Sequence, residues 1–198
     1  IRQVLTQRVA RLSEATRLVL RIAAACTKGF SLPLLQALTD LPESALLDCL
    51  DEALRAGFIH SLGGMPAIYS LSHAMVRHTL YNEWNPDRRL RLHRQIAQAM
   101  ERVYSGREGE HAAELAAQYH ATRELPGSDR GVSFALLAAE QASAAQGPGQ
   151  AVSFLRMAIE LAERAPGGPA SSTLAADRAE IWRRLAVAEA GALLWDAV

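Results

Sequence analysis

The chain has 198 residues, of which 49% are apolar and 21% are charged, and its formal net charge is zero. This length and composition are ordinary for one or two globular domains with buried cores. Because there is no overall basic excess, the simplest electrostatic basis for binding nucleic acid or a membrane surface is excluded.

The first third of the chain is predicted to be helical. Residues 1–12 have helical spacing, and we interpret them as the tail of a preceding element. A helix is predicted over residues 13–28, with Ser13 as its N-cap. Ser31 is well placed to cap a short second helix, and a third helix is predicted over residues 43–56.

After the third helix, the spacing of apolar residues changes from a helical to a strand-like pattern. Residues 58–62 and 67–71 are predicted to be strands, joined by a glycine-rich turn at 63–66. Three helices followed by a two-stranded hairpin is the order of a winged helix-turn-helix domain. We therefore predict such a domain over residues 13–105, with a final helix at 86–105 that braces it.

Residues 106–198 are alanine-rich and are predicted to form helices of about 15 residues joined by short turns, with a repeat period near 34 as in tetratricopeptide repeats. Small and apolar residues stand at positions like those of such a repeat: Ala139, Ala151, Leu155, Ala158, Trp182, Leu185 and Ala186. Residues 166–172 are interpreted as a linker, and 195–197 as the start of a further helix. The predicted fold is thus mainly α, a winged helix with one small β-hairpin followed by tetratricopeptide-like α-hairpins. A plain helical bundle is the alternative for this second half.

No catalytic or metal-binding motif is found. Lys28 is followed by Gly29, so the phosphate-binding loop is absent. His73 and His78 are five residues apart, which does not align two metal ligands on a helix. No nucleophile-elbow pattern is present. We expect this segment to have no enzyme activity, no metal and no cofactor of its own. Cys26 and Cys49 are expected to be buried thiols in a reducing, cytoplasmic setting.

A winged-helix domain often binds DNA, but the charges of the predicted domain are unsuited to DNA binding. The helix that would enter the major groove, residues 43–56, carries four acidic residues against Arg55 alone: Glu43, Asp48, Asp51 and Glu52. The turn at 63–66 has no cation. We expect this domain to contact protein rather than DNA, and nucleic-acid binding is the alternative function.

One basic cluster follows, formed by Arg88, Arg89, Arg91 and Arg94. Two interpretations are open. The arginines could form a solvated helix face whose aliphatic stems cover apolar surface. Alternatively, they could contact an anionic partner, either an acidic protein surface or nucleotide phosphates.

Three stretches resemble a known family: residues 12–25, 69–81 (YSLSHAMVRHTLY) and 86–100. Together they are similar to the region that follows the ATPase core in signal-transduction ATPases with numerous domains. That family includes the large LuxR-type and maltose-regulator-like bacterial transcription regulators. The resemblance covers about residues 10–105, whereas the repeats match only generically.

The resemblance implies that the chain, which lacks an initial Met and ends inside an apolar pattern, is a segment of an ATP-dependent transcription regulator. Its implied partners are the ATPase core of its own protein and a protein or small-molecule inducer. ATP or ADP would be the ligand of the parent protein. No membrane partner is implied.

The resemblance also singles out His73. The segment at 72–77 (SHAMVR) is similar to the Met-His-Asp-Leu-Val-Arg motif of the wider family, with Ser72 and Ala74 as departures. There the histidine contacts the β-phosphate of bound ADP, and a helix N-terminus is a natural anion site. His73 is therefore implied as a nucleotide-sensing residue of the parent protein. The alternative is that His73 caps its helix and packs under the hairpin.

Overall fold

The computed structural model of the chain describes residues 2–164 and 172–195. In this part of the chain the structure is mainly helical and contains a small antiparallel sheet of three strands. The prediction of a mainly helical fold is therefore confirmed. The chain divides into two compact units, residues 1–103 and 104–198.

The first unit contains six helices: α1 (Arg2–Ala10), α2 (Glu14–Ala23), α3 (Leu32–Leu38), α4 (Glu43–Arg55), α5 (Ala74–Asn82) and α6 (Pro86–Val103). Local sequence sets where two of them begin. Ser13 is the N-cap of α2 and its hydroxyl accepts a hydrogen bond from the backbone N–H of Thr16. Ser31 does the same for α3, accepting from the N–H of Leu34. Each hydroxyl satisfies a donor that a helix N-terminus leaves unpaired.

The sheet has three strands, whereas the sequence predicted a two-stranded hairpin. The strands are β1 (Phe30–Ser31), β2 (Ile59–Gly63) and β3 (Ile68–Leu71), in the order β1-β3-β2. β1 was missed because two residues are too short to show an alternating pattern. Gly29 allows its close approach: at φ +126°, an added Cβ would lie 2.8 Å from Cγ2 of Ile68.

The core of the first unit lies where the apolar faces of these elements meet. α2 packs against α4 and α5, and α3 packs against α6. Its largest fully buried side chains are Leu20, Phe30, Leu34, Leu35, Leu46, Leu50, Phe58, Leu80 and Ile96. Cys26 and Cys49 are both buried, as predicted.

The second unit contains α7 (Ala112–Ala121), α8 (Gly131–Ala144), α9 (Pro148–Glu163) and α10 (Ser172–Trp195). Short 3-10 turns precede α7 and α8. Consecutive helices pack on one another, and buried alanines such as Ala135, Ala139 and Ala158 let them approach closely. Ile181 and Leu185 of α10 join the same core.

Two predictions concern the end of the chain. Of the predicted linker at 166–172, residues 166–171 lie outside the described residues, and Ser172 is the first residue of α10. Trp195, predicted to begin a further helix, is the last residue of α10, and Asp196 and Ala197 lie outside the described part of the chain. Within the described residues, no helix has both the length and the apolarity of a membrane span.

Candidate functional site

The N-terminus of α2 is held by a carboxylate from α4. Glu52 accepts hydrogen bonds from the backbone N–H of Ser13 at 3.0 Å and from the hydroxyls of Ser13 and Thr16. The hydrogen bond from Thr16 is the main reason why the pKa of Glu52 is lowered. A carboxylate at this position also complements the partial positive charge of a helix N-terminus. Glu52 is therefore a structural residue that joins α4 to α2.

The opposite end of α2 is held by Arg77, the last residue of the segment that resembles the family motif. Its guanidinium donates hydrogen bonds to the backbone carbonyls of Ala24 and Cys26, just beyond the last turn of α2. Burial lowers the pKa of Arg77. A cation at a helix C-terminus satisfies unpaired carbonyls and complements the helix dipole. Arg77 thus fixes α5 against α2.

A third contact of this kind involves α1. The guanidinium of Arg8 donates to the carbonyl of Ala56, the C-cap of α4, at 2.7 Å, and lies 5.2 Å from the ring centre of Phe58. Val9 is buried as well. The predicted tail of a preceding element therefore packs within the first unit.

His73 lies at the N-cap position of α5. Its side chain makes no capping hydrogen bond and is exposed, so the imidazole does not perform the structural capping considered as the alternative. Its backbone carbonyl accepts hydrogen bonds from the N–H groups of Val76 and Arg77. The structure thus presents His73 to solvent at the beginning of a helix.

The four arginines of α6 do not form one patch. Arg89 is turned towards α5, where it donates to Asn82 at 3.2 Å and lies 5.1 Å from the ring centre of Tyr81. Arg94 is half-buried and is not a free cation. Arg88 and Arg91 lie one helical turn apart and line a groove on another side of α6. The predicted cluster is therefore reduced to a pair.

That groove lies between α2, the loop after α3, and α6, and has a volume of about 520 Å³. Its apolar lining is formed by Leu18, Ile22, Leu38, Leu41, Trp84 and Leu92. Two cations lie close to Trp84: the guanidinium carbons of Arg21 and Arg88 are 5.5 and 5.6 Å from its ring centre. The groove thus combines an apolar surface with arginine side chains at its edge.

A separate surface is formed by the exposed face of α4. Leu47 and Leu54 are 46% and 37% exposed on this face. Asp48 and Asp51 are exposed between them, and Arg55 forms an ion pair with Asp51 at 3.9 Å. Spacings of three, four and seven residues place all of these side chains on one side of the helix. The only cation on this helix is therefore paired with a neighbouring carboxylate.

The turn between β2 and β3 is also apolar and uncharged at its tip. Leu62 is 56% exposed and Met65 is 99% exposed. There is no lysine or arginine between Ile59 and Leu71. Like the face of α4, this turn offers apolar side chains and no cation.

The second unit has a groove of about 440 Å³ between α9 and α10, in which Trp182 is 51% exposed. Several of its charged groups already have partners. Arg156 contacts Glu189 at 2.8 Å, and Glu160 contacts His120 at 2.8 Å. The hydrogen bond from His120 is the main cause of the lowered pKa of Glu160. A ligand that binds Arg156 or Glu160 would have to replace these contacts.

Within the described residues, no group of three or more His, Cys, Asp or Glu side chains could hold a metal ion. Comparison with known proteins found no matching family model, curated protein or solved structure.

Sequence reasoning identified Arg88 and Arg91, but it missed the groove that they line. Trp84 and Leu41 carry no motif, and they come from separate parts of the chain. The available signal was a tryptophan directly before the arginine-rich helix, a residue type that stacks readily on guanidinium groups.

Proposed function

We propose that the first unit is a winged-helix domain. The order α2-β1-α3-α4-β2-β3 and the sheet order β1-β3-β2 support this proposal. In such a domain α4 would be the recognition helix and the β2–β3 turn would be the wing.

For the second unit, we propose a tetratricopeptide-like array. Its support is the succession α7 to α10, in which each helix packs on the preceding one through small residues. The connection between α8 and α9 is short, as is typical of antiparallel helical hairpins.

The function that this arrangement supports best is regulatory protein interaction. The segment would relay the binding of a protein or small-molecule inducer to the ATPase core of an ATP-dependent bacterial transcription regulator. One observation carries the proposal: the exposed face of α4 is acidic and apolar, and its single cation, Arg55, is paired with Asp51. A surface of this kind suits a protein partner and repels phosphates.

A gel shift with random duplex DNA at about 50 mM salt tests this proposal, since non-specific binding is strongest at low salt. No shift is expected. Micromolar, salt-sensitive binding would favour the alternative, a nucleic-acid-binding winged helix that uses α4 or the pair Arg88 and Arg91.

The nucleotide-sensing role proposed for His73 concerns the parent protein. ATP and ADP should leave the melting temperature of the present chain unchanged. A ligand that binds only the folded state would raise that temperature, so an increase would show that the chain binds nucleotide without the ATPase core. In the intact protein, His73→Ala should weaken ADP binding and raise basal activity. An unchanged ADP affinity would contradict the role of His73 and leave the interaction proposal standing.

A further inference from the structure

The groove of the first unit has cations at its edge that the protein does not neutralise. Among the described residues, neither Arg88 nor Arg91 has a carboxylate within ion-pair distance, and Arg91 is exposed. Arg21, the third cation nearby, contacts Glu83 at 3.8 Å. The groove therefore offers two unpaired guanidinium groups, which are well suited to hold a carboxylate or another oxyanion.

The rest of the lining fits an apolar body. Ile22 and Leu92 are buried, while Leu18, Leu38 and Trp84 are half-buried and line the groove. Grooves of about 300–1,000 Å³ that combine an apolar lining with a few polar groups are typical small-molecule sites. We propose that this groove binds a small anionic amphiphile, with its anionic group at Arg88 and Arg91 and its apolar part against the aliphatic side chains of the lining.

The charge of the groove lining favours an anionic ligand over a cationic one. Asp40 is the one acidic residue in the lining of the groove, which also contains the two arginines and the neutral side chains of Thr39 and Gln95. The lining thus has a net charge of +1, so an anion is favoured and a cation is repelled. This proposal is independent of the regulatory role, because it concerns only the occupant of the groove.

The test is isothermal titration calorimetry of the full chain with sodium decanoate, at concentrations below the critical micelle concentration of decanoate. Decyltrimethylammonium, which has the same tail and the opposite charge, is the matched ligand. Decanoate is expected to bind with a Kd of about 0.1 mM, and the cation at least about tenfold more weakly.

The double substitution Arg88→Gln and Arg91→Gln should weaken decanoate binding at least about tenfold. The pair Arg11→Gln and Arg102→Gln removes the same charge from exposed positions outside the groove and should leave binding unchanged. Arg91→Gln alone provides a second measurement if loss of the Arg88 contact with Trp84 disturbs folding, since Arg91 has no partner to lose. Absence of decanoate binding, equal binding of the two ligands, or unchanged binding by the arginine variants would each overturn the proposal.

Discussion

At the residue scale, two ionised side chains hold the ends of one helix. Glu52 accepts hydrogen bonds at the N-terminus of α2, and Arg77 donates to carbonyls at its C-terminus. The signs of both charges complement the helix dipole. Because the two residues come from α4 and α5, they also fix the positions of three helices relative to one another.

Replacement of Glu52 tests the first of these contacts. Glu52→Gln should lower the free energy of unfolding at pH 7 by about 1 kcal/mol, because the amide is a weaker and uncharged acceptor. The folded-state pKa of Glu52 is lowered, so its contribution is present above the unfolded-state pKa of about 4.3 and is lost as the pH falls through the folded-state value. The difference between wild type and variant should therefore disappear on acidification.

Urea unfolding at several pH values measures this difference. Asp51→Asn is the control on the same helix, since Asp51 is exposed and its ion pair with Arg55 is long. A wild-type advantage that stays constant from pH 7 to pH 3 would contradict the assigned role of the Glu52 carboxylate.

Replacement of Arg77 tests the second contact. Arg77→Met keeps the length of the side chain but removes the donors to Ala24 and Cys26, and should cost about 2 kcal/mol in the free energy of unfolding. The matched substitution Arg102→Met, at an exposed position of α6, should cost less than about 0.5 kcal/mol. Equal effects in chemical denaturation would show that the carbonyl contacts of Arg77 are unimportant.

Neither role could be deduced from the sequence. Glu52 was counted among the acids of a recognition helix, and its partners lie 36 and 39 residues away. Arg77 was noted only as part of a motif, and the carbonyls that it binds lie more than 50 residues before it. Local spacing carries no information on such distant pairs.

At the scale of elements, the presence of the helices could be predicted, but not all of their ends: the helix predicted over residues 13–28 ends at Ala23. The sheet could be predicted only in part. Apolar periodicity and caps such as Ser13 are local signals, so the predicted helix over residues 43–56 matches α4 at Glu43–Arg55 closely. β1 could not be predicted, because its two residues become a strand only by pairing with β3. In the same way, the sequence could not predict that Arg89 contacts α5 while Arg88 and Arg91 line the groove, because this depends on which helix each arginine faces.

The packing of α7, α8 and α9 depends on the absence of a side chain at Gly131. A Cβ there would lie 2.4 Å from Cβ of Tyr119 and 2.9 Å from Cδ1 of Leu161. Gly131→Ala should therefore destabilise the chain by about 2 kcal/mol. Gly149→Ala is the matched control: its Cβ would meet nothing within 4 Å, and it should be neutral or stabilising by up to about 1 kcal/mol.

Thermal unfolding of these two variants checks the prediction. A lower melting temperature for Gly131→Ala alone is expected. Equal stability of the two variants would mean that the three helices tolerate a wider spacing than the one described.

At the scale of the whole molecule, the chain presents two compact units and several surfaces of different chemistry. The sequence predicted that the region after residue 105 is helical and that the recognition helix is acidic. It could not predict the groove of the first unit, since Leu18, Trp84 and Leu92 converge only after folding. The central proposal is that α4 is the recognition helix of a winged-helix domain but carries charges suited to a protein partner.

A charge-reversal experiment tests that claim most directly. The α4 variant carries lysine at three exposed acidic positions of α4: Glu43, Asp48 and Asp51. A control variant carries lysine at three exposed acidic positions outside α4: Glu14, Glu110 and Glu124. Binding to a labelled random duplex is measured by fluorescence anisotropy between 50 and 200 mM salt. The wild type should not bind. The α4 variant should bind at micromolar concentration and weaken about fortyfold across this range, as expected for about three phosphate contacts. Salt-sensitive binding by the wild type, or binding by the α4 variant no stronger than by the control, would contradict the account.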